Sequence, residues 1–315
     1  MKKEDMEQTK YIHSLKTTAT RGMVLAVWAA SVLFTTTALT SCVKDDLYNT
    51  PHPDHGKITV TANWKDRGEG VEIPASWNIN MGNYSGTETQ ATHAPNQLFN
   101  PGNYRLTAFS DADNITVSGT TATVATANGI NGVKAPFVNS NPGFFFTSVQ
   151  EVTIEKDRDH IFTAAMQQQV REVTLLIEPT GDAKERIESI EGYLSGVAGT
   201  LDFANNAYGS ASNVALSFTK VTQGNNIGKW SATIRLLGIT GSAQKLTATI
   251  SYANGNPLSS ELESDLSQAI NGFNDNKKAQ FILGGTIAET PSEAVVGGAT
   301  IENWTQIDAG SGDAY

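Results

Sequence analysis

The sequence predicts an all-β protein, two tandem β-sandwich domains behind a cleavable leader and a tether. Three observations predict it. Short runs of alternating apolar and polar residues recur along the chain, the period-two signature of half-buried strands. Clusters of Asn, Gly, Pro and Ser separate them, as turn chemistry requires. Charged residues are only 17% of the 315 and apolar ones 39%, and Thr, Ser, Asn and Gly are heavily used. That balance supports a core and fits a loop-rich extracytoplasmic protein better than a helical cytosolic enzyme. A formal charge of -10 lacks the basic footprint of a nucleic-acid binder. A single cysteine forms no internal disulfide and no multi-cysteine metal site.

The elements follow in order. Lys2, Lys3, Lys10, Lys16 and Arg21 precede an apolar run over residues 23–39. A basic stretch before an apolar one reads as a secretory signal. With 17 residues and three consecutive threonines, the run is at the lower limit for crossing about 30 Å of hydrocarbon, which makes a retained membrane helix the alternative. Leu39-Thr40-Ser41-Cys42 resembles the lipobox of bacterial lipoproteins, apolar at the third position before the cysteine and small beside it. The resemblance implies cleavage before Cys42 and a lipid on its thiol. One acyl chain binds a membrane only marginally, at about 0.8 kcal/mol per buried CH₂, whereas two or more make release slow. Lys44, Asp45 and Asp46 then resemble the acidic export signal of Bacteroidetes surface lipoproteins; a solvated start to the tether is the plainer alternative. Removing residues 1–41 takes away five basic and three acidic residues, leaving 17 against 29 over 274 residues, a net charge of -12.

Residues 42–57 contain two prolines and no apolar period, and read as the tether. From Ile58 the alternation begins, with Val60, Ala62 and Trp64 on the same face. Further strands are predicted around residues 77–81, 104–108, 115–117, 152–154 and 161–164, with turns at 80–86, 100–102 and 139–143. After the polar break at 166–169, strands are predicted at 173–177, 187–194, 214–218, 230–236, 246–252, 280–283 and 299–307. One helix is predicted over 260–273, where Leu262, Leu266, Ile270 and Phe273 share a stripe and Ser260 and Glu263 have capping-box spacing. The resulting domains are 58–165 and 166–308, with a tail at 309–315.

Candidate chemistry is sparse. Catalysis by a nucleophile needs a base and an orienting acid within reach. His52, His55, His93 and His160 remain beyond the leader, and no Gly-x-Ser-x-Gly elbow accompanies them. His52, Asp54 and His55 have metal-ligand chemistry, but Pro53 stiffens the segment and no helix aligns them. Asp111 and Asp113 begin like a calcium loop that lacks the turn glycine and the distal glutamate, so a β-turn is expected. Glu261, Glu263 and Asp265 offer the carboxylates of a glycosidase, and otherwise the solvated face of the predicted helix. The pairs Gly284-Gly285 and Gly297-Gly298 fit turns or bulges. No catalytic residue, no metal and no cofactor beyond the covalent lipid is therefore expected. Trp64, Trp77, Trp230 and Trp304 read as core. Three consecutive rings cannot all face one side of a strand, so Phe144, Phe145 and Phe146 motivate a second reading, a glycan-binding surface lipoprotein of a polysaccharide-uptake system.

Residues 42–48, then Thr50, Pro51, His52, Pro53 and Asp54, then the strand ending Asn63-Trp64, resemble the Bacteroidales fimbrillin-associated anchor lipoproteins. Val170-Arg171-Glu172-Val173 and residues 187–199, 230–237 and 281–285 extend the resemblance over most of 42–308. It implies two transthyretin-like sandwiches, a place in adhesive pili at the outer-membrane surface, and other fimbrial subunits as partners. In that family an extended strand fills a gap in a neighbour's sheet; backbone bonds give affinity and alternate side chains fill pockets. Anchors keep their lipid and first strand, here residues 58–64. Ile301, Trp304 and Ile307 mark the candidate donated or pairing strand. Arg67 follows the first strand in a turn-like Lys65-Asp66-Arg67-Gly68. In shaft subunits a trypsin-like cut after such an arginine removes the strand, so Arg67 is either a processing site or an ordinary turn residue.

Overall fold

The computed structural model describes residues 54–130, 132–287, 299–301 and 303–307. Cys42, Lys44, Asp45, Asp46, His52, the leader and the tail lie outside the described residues. The first half of the chain supplies β1 (Lys57–Asn63), β2 (Trp77–Met81), β3 (Tyr84–Glu88), β4 (Thr92–His93), β5 (Gly102–Ser110), β6 (Ile115–Ser118), β7 (Thr121–Val124), β8 (Phe137–Val138), β9 (Phe146–Ile154), β10 (Asp159–Ala165) and β11 (Gln167–Gln168). The second half supplies β12 (Arg171–Pro179), β13 (Ile187–Asp202), β14 (Ala207–Lys220), β15 (Trp230–Leu236), β16 (Lys245–Tyr252), β17 (Ser260–Asp265), β18 (Phe281–Ile287), β19 (Ala299–Thr300) and β20 (Thr305–Ile307). The protein is all-β, as the alternation requires.

Two sandwiches form. In the first, a sheet of order β10-β1-β4 packs on one of order β11-β9-β5-β2-β3. Alternate residues of β1, β2, β5 and β9 meet there, with Ile58, Trp77, Ile79, Leu106, Phe146 and Met166 buried. In the second, β19-β17-β16-β13-β14 lies against β15-β12-β18-β20. The long β14 pairs with β13 over most of its length, then reaches β15 through Thr219 and Lys220, so it belongs to both layers. Such a strand turns the corner of a sandwich without a loop. β13 is also shared: residues up to Leu194 pair with β16, a register shift follows at Gly196 with φ 72°, and the far end pairs with β7. A bulge of this kind bends a strand toward new partners, and glycine takes the positive φ without strain.

Chain order and core do not coincide. β7 pairs with β13 and β8 with β14, so Ala122, Val124, Val138 and Phe145 join the second core although they precede residue 166. The hinge between cores is a pair of neighbours. Phe145 is buried in the second core and Phe146 in the first, because successive side chains of extended backbone point to opposite sides. Phe144 packs partly against both. The three rings are therefore core and junction, and they form no exposed platform.

The predicted helix over 260–273 is not formed. Residues 260–265 are the strand β17, antiparallel to β16, with Ser260, Leu262 and Ser264 inward and Glu261, Glu263 and Asp265 outward. The true period is two, masked because two of the three inward residues are serines. Beyond it the chain makes turns, and Leu266, Ile270 and Phe273 are buried without a helix. The predicted turn over 80–86 shrinks to Gly82-Asn83, which closes a hairpin into β3. β3 is an edge strand with one face exposed and the other only half-buried, so it carries no apolar alternation. Gly284 and Gly285 lie inside β18, where they are neither turn nor bulge.

Candidate functional site

The family resemblance directs attention to the first and last strands. β1 is the middle strand of its sheet. It runs parallel to β10 over seven residue pairs, from Lys57↔Asp159 to Asn63↔Ala165, and antiparallel to β4 at Val60↔His93 and Thr61↔Thr92. The β-branched residues of KITVTAN suit the pleat, and the alternation sends Ile58, Val60 and Ala62 into the core. Trp64 follows them inward and meets Phe146 edge to face at 5.4 Å. Burying an aliphatic side chain of this size contributes roughly 1.5–3 kcal/mol, so β1 is integral to the core.

The short β4 is held by side chains. The Tyr84 hydroxyl lies 2.5 Å from His93 Nε2, and Glu88 Oε2 lies 3.3 Å from His93 Nδ1. The backbone N–H groups of Gln90 and Thr89, with His93, hold the Glu88 carboxyl below its usual range. Burial and the Glu88 charge push the Tyr84 phenol up. This chain of polar groups ties β4 to β3, closing one side of the groove in which β1 lies.

Arg67 lies just past β1. Its side chain is exposed, and its guanidinium donates to the Trp64 and Val71 carbonyls at 3.1 Å each. The next residue is fastened to β11 of the first sandwich: the buried Gly68 N–H donates to Gln168 Oε1 at 2.8 Å. Gln168 in turn donates to the Val170 and Lys277 carbonyls. Asp66 pairs with Lys278 at 3.3 Å. A Cβ on Gly68 would stand 2.6 Å from the Lys278 carbonyl oxygen, so only glycine fits. The Arg67-Gly68 bond thus sits in a folded turn with its amide engaged.

The last segment folds back onto its own chain. β19 pairs in parallel with β17, Ile301 bridges Ile287, and β20 pairs with β18 at Gly284↔Thr305 and Ile282↔Ile307. Ile301 is buried, while Trp304 and Ile307 are half-buried. Trp304 donates from Nε1 to Ser264 Oγ at 2.8 Å, and Ser264 Oγ donates to the Ile301 carbonyl at 2.9 Å. The two glycines of β18 make room: a Cβ on Gly284 would meet Ile307 at 2.9 Å, and one on Gly285 would meet Ile301 at 2.6 Å. The segment therefore touches both layers of the second sandwich.

A buried cationic cluster escaped the sequence reading. Arg171 donates to the Ala279 and Phe273 carbonyls and lies over the Phe273 and Phe281 rings at 5.3 and 4.6 Å. Lys277 donates to the Leu237 carbonyl, with the Tyr208 ring 4.9 Å away. Burial pulls Arg171 down to about 10 and pushes Tyr208 up to about 12. Burial, with the Arg171 charge beside it, lowers Lys277 to about 7. Residues 171 and 277 are too far apart in sequence for any pattern to join them.

The other sequence candidates find bland roles. Asp111 accepts from Ser76 Oγ at 2.5 Å and Asn78 Nδ2 at 2.8 Å, linking the start of β2 to the end of β5. His160 Nε2 accepts from the Glu155 N–H, and its ring stacks on Phe162 at 5.9 Å. Glu261, Glu263 and Asp265 are the solvated face of a strand. Trp64, Trp77 and Trp230 are core. Among the described residues no cluster of three or more His, Cys, Asp or Glu side chains could hold a metal ion.

Comparison with known proteins adds the context. The structure is similar to a candidate adhesin from Bacteroides ovatus, with TM-score 0.55, 9% identity, and coverage of 81% of this chain and 96% of that one. It is similar to the fimbrial anchor protein Mfa2 from Porphyromonas gingivalis, with TM-score 0.52, 13% identity, and coverage of 80% and 97%. At such identities the likeness is one of fold. No curated protein matches the chain in sequence. The family of fimbrillin-A associated anchor proteins Mfa1 and Mfa2 matches residues 55–309, most of the chain and both sandwiches, and the protein belongs to that family.

Proposed function

We propose that the protein is a structural, non-enzymatic component of cell-surface fimbriae, seated at their membrane end as an anchor or accessory subunit. Family membership supports the fimbrial role. The observation that carries the anchor reading is β1: it is paired on both edges, and its side chains fill the first core. A subunit that keeps this strand has no open groove there to accept a neighbour's. It would end a strand-exchange polymer rather than extend it. In this reading Cys42 carries the lipid, Lys44, Asp45 and Asp46 direct export to the outer-membrane surface, and Arg67 remains uncut. The segment bearing Ile301, Trp304 and Ile307 ends in β20, the last strand of its sheet, and pairs with the next subunit through the outer edge, which has no strand partner among the described residues. The engaged amide of Gly68 supports an uncut Arg67, since a protease must draw its substrate into an extended form.

The test is the state of the protein in assembled fimbriae. Purified fimbriae from cells fed a clickable fatty acid should contain the chain labelled and with a blocked terminus at Cys42. A free terminus at Gly68 would make it a polymerising shaft subunit. Absence from every fimbrial fraction would remove the fimbrial role altogether.

A further inference from the structure

We propose that the cleft between the two sandwiches is a binding site for a neutral, hydroxyl-rich saccharide. The cleft has a volume of about 700 Å³, within the range of small-molecule sites. Strands of the first sandwich form one wall, and the turn at 203–206, the start of β14 and the loop at 274–278 of the second form the other. Eleven of its nineteen lining residues are uncharged and polar, against four charged and four apolar. The charges are largely spent: Lys278 pairs with Asp66, and Lys277 is buried against the Leu237 carbonyl.

The amides hold unused capacity. Gln150 and Gln169 each donate through Nε2, to the Thr163 carbonyl and to Thr147 Oγ1, leaving their oxygens as acceptors. Gln167 is exposed, and Asn206 is presented on a turn at φ 52°; neither amide side chain has a hydrogen bond among the described residues. A primary amide offers two donors and an acceptor in one plane, matching the adjacent hydroxyls of a sugar. Phe203 supplies an aromatic surface at the cleft, its ring held by Phe145 and Phe109 at 6.1 and 6.2 Å. A peptide strand fits this lining less well. Adding one to a sheet edge needs free carbonyls and apolar pockets at alternate positions. Gln150 already occupies the Thr163 carbonyl of β10, and only Val149, Ala165, Phe203 and Ala204 are apolar.

The full chain, solubilised in mild detergent, would be screened on an array of neutral and acidic oligosaccharides and the strongest binder titrated by calorimetry. Binding to neutral oligosaccharides is expected. Gln167→Ala and Asn206→Gly should each weaken it about three- to tenfold, the effect of one lost hydrogen bond. Both positions are exposed and glycine keeps the turn, so melting should not change. A silent array overturns the proposal, as does binding that both variants leave intact, or binding confined to acidic sugars. None of these outcomes bears on fimbrial incorporation, which the terminus of the assembled protein reports separately.

Discussion

Replacing Lys277 by methionine should remove a pH dependence of stability between about pH 7 and 10.5. Burial, with Arg171 beside it, lowers the folded-state value of this lysine from 10.5 to about 7. In that interval the unfolded chain holds a proton that the folded one has released, so stability rises with pH. Above pH 10.5 both states are neutral and nothing is lost. As pH falls the penalty grows, and below pH 7 it stays at its full value. At about 1.4 kcal/mol per pH unit the interval sets a ceiling of about 5 kcal/mol. Methionine has similar length and no charge, so it escapes the penalty. It forfeits the bond that the neutral amine donates to the Leu237 carbonyl, worth about 1 kcal/mol. The variant should therefore gain on the wild type at pH 6.5 and lose to it at pH 10. Urea unfolding of both proteins at four pH values measures the difference, and other titrating groups cancel in it. A difference that is flat across the interval would refute a buried amine that sheds its proton on folding.

Three further outcomes follow from the packing. Ile58→Ala should destabilise the first sandwich by about 2–5 kcal/mol in urea unfolding, because the side chain is wholly buried in β1. Gln168→Ala leaves the Gly68 N–H and the Lys277 carbonyl without a partner, at about 1–3 kcal/mol for each buried group, and should speed trypsin cleavage after Arg67. Gly285→Val places a side chain against Ile301 and Trp304, so the amides of β20 should lose hydrogen-exchange protection while those of β1 keep theirs.

Much of the fold was legible, because strands buried on one face declare themselves. Residues 57–63 and 246–252 alternate without fault, and both are strands as read. Legibility failed where the inward residue was not apolar. In β17 two serines face the core, and the spacing of Leu262, Leu266, Ile270 and Phe273 mimicked a helix. All four are buried, so the core residues were found under the wrong geometry. Phe144, Phe145 and Phe146 raised a true contradiction, three rings that one face cannot hold. Its resolution needed two cores, and pairing between β7 and β13 that no local pattern records. Arg67 and the last segment could be marked in sequence, but their surroundings could not. The bond from Gly68 to Gln168 spans 100 positions, and that from Trp304 to Ser264 spans 40. Hydrogen bonds between distant residues leave no periodic trace.

The parallel course of β1 and β10 carries a mechanical consequence. Tension entering through the residues ahead of Lys57 draws β1 backward along its own axis, against a partner strand running the same way. The seven residue pairs then resist together in shear, instead of opening one after another like a zipper. Forced rupture is governed by the unfolding barrier rather than by equilibrium stability. An attachment loaded in this direction can outlast pulls that would peel apart a hairpin of equal free energy.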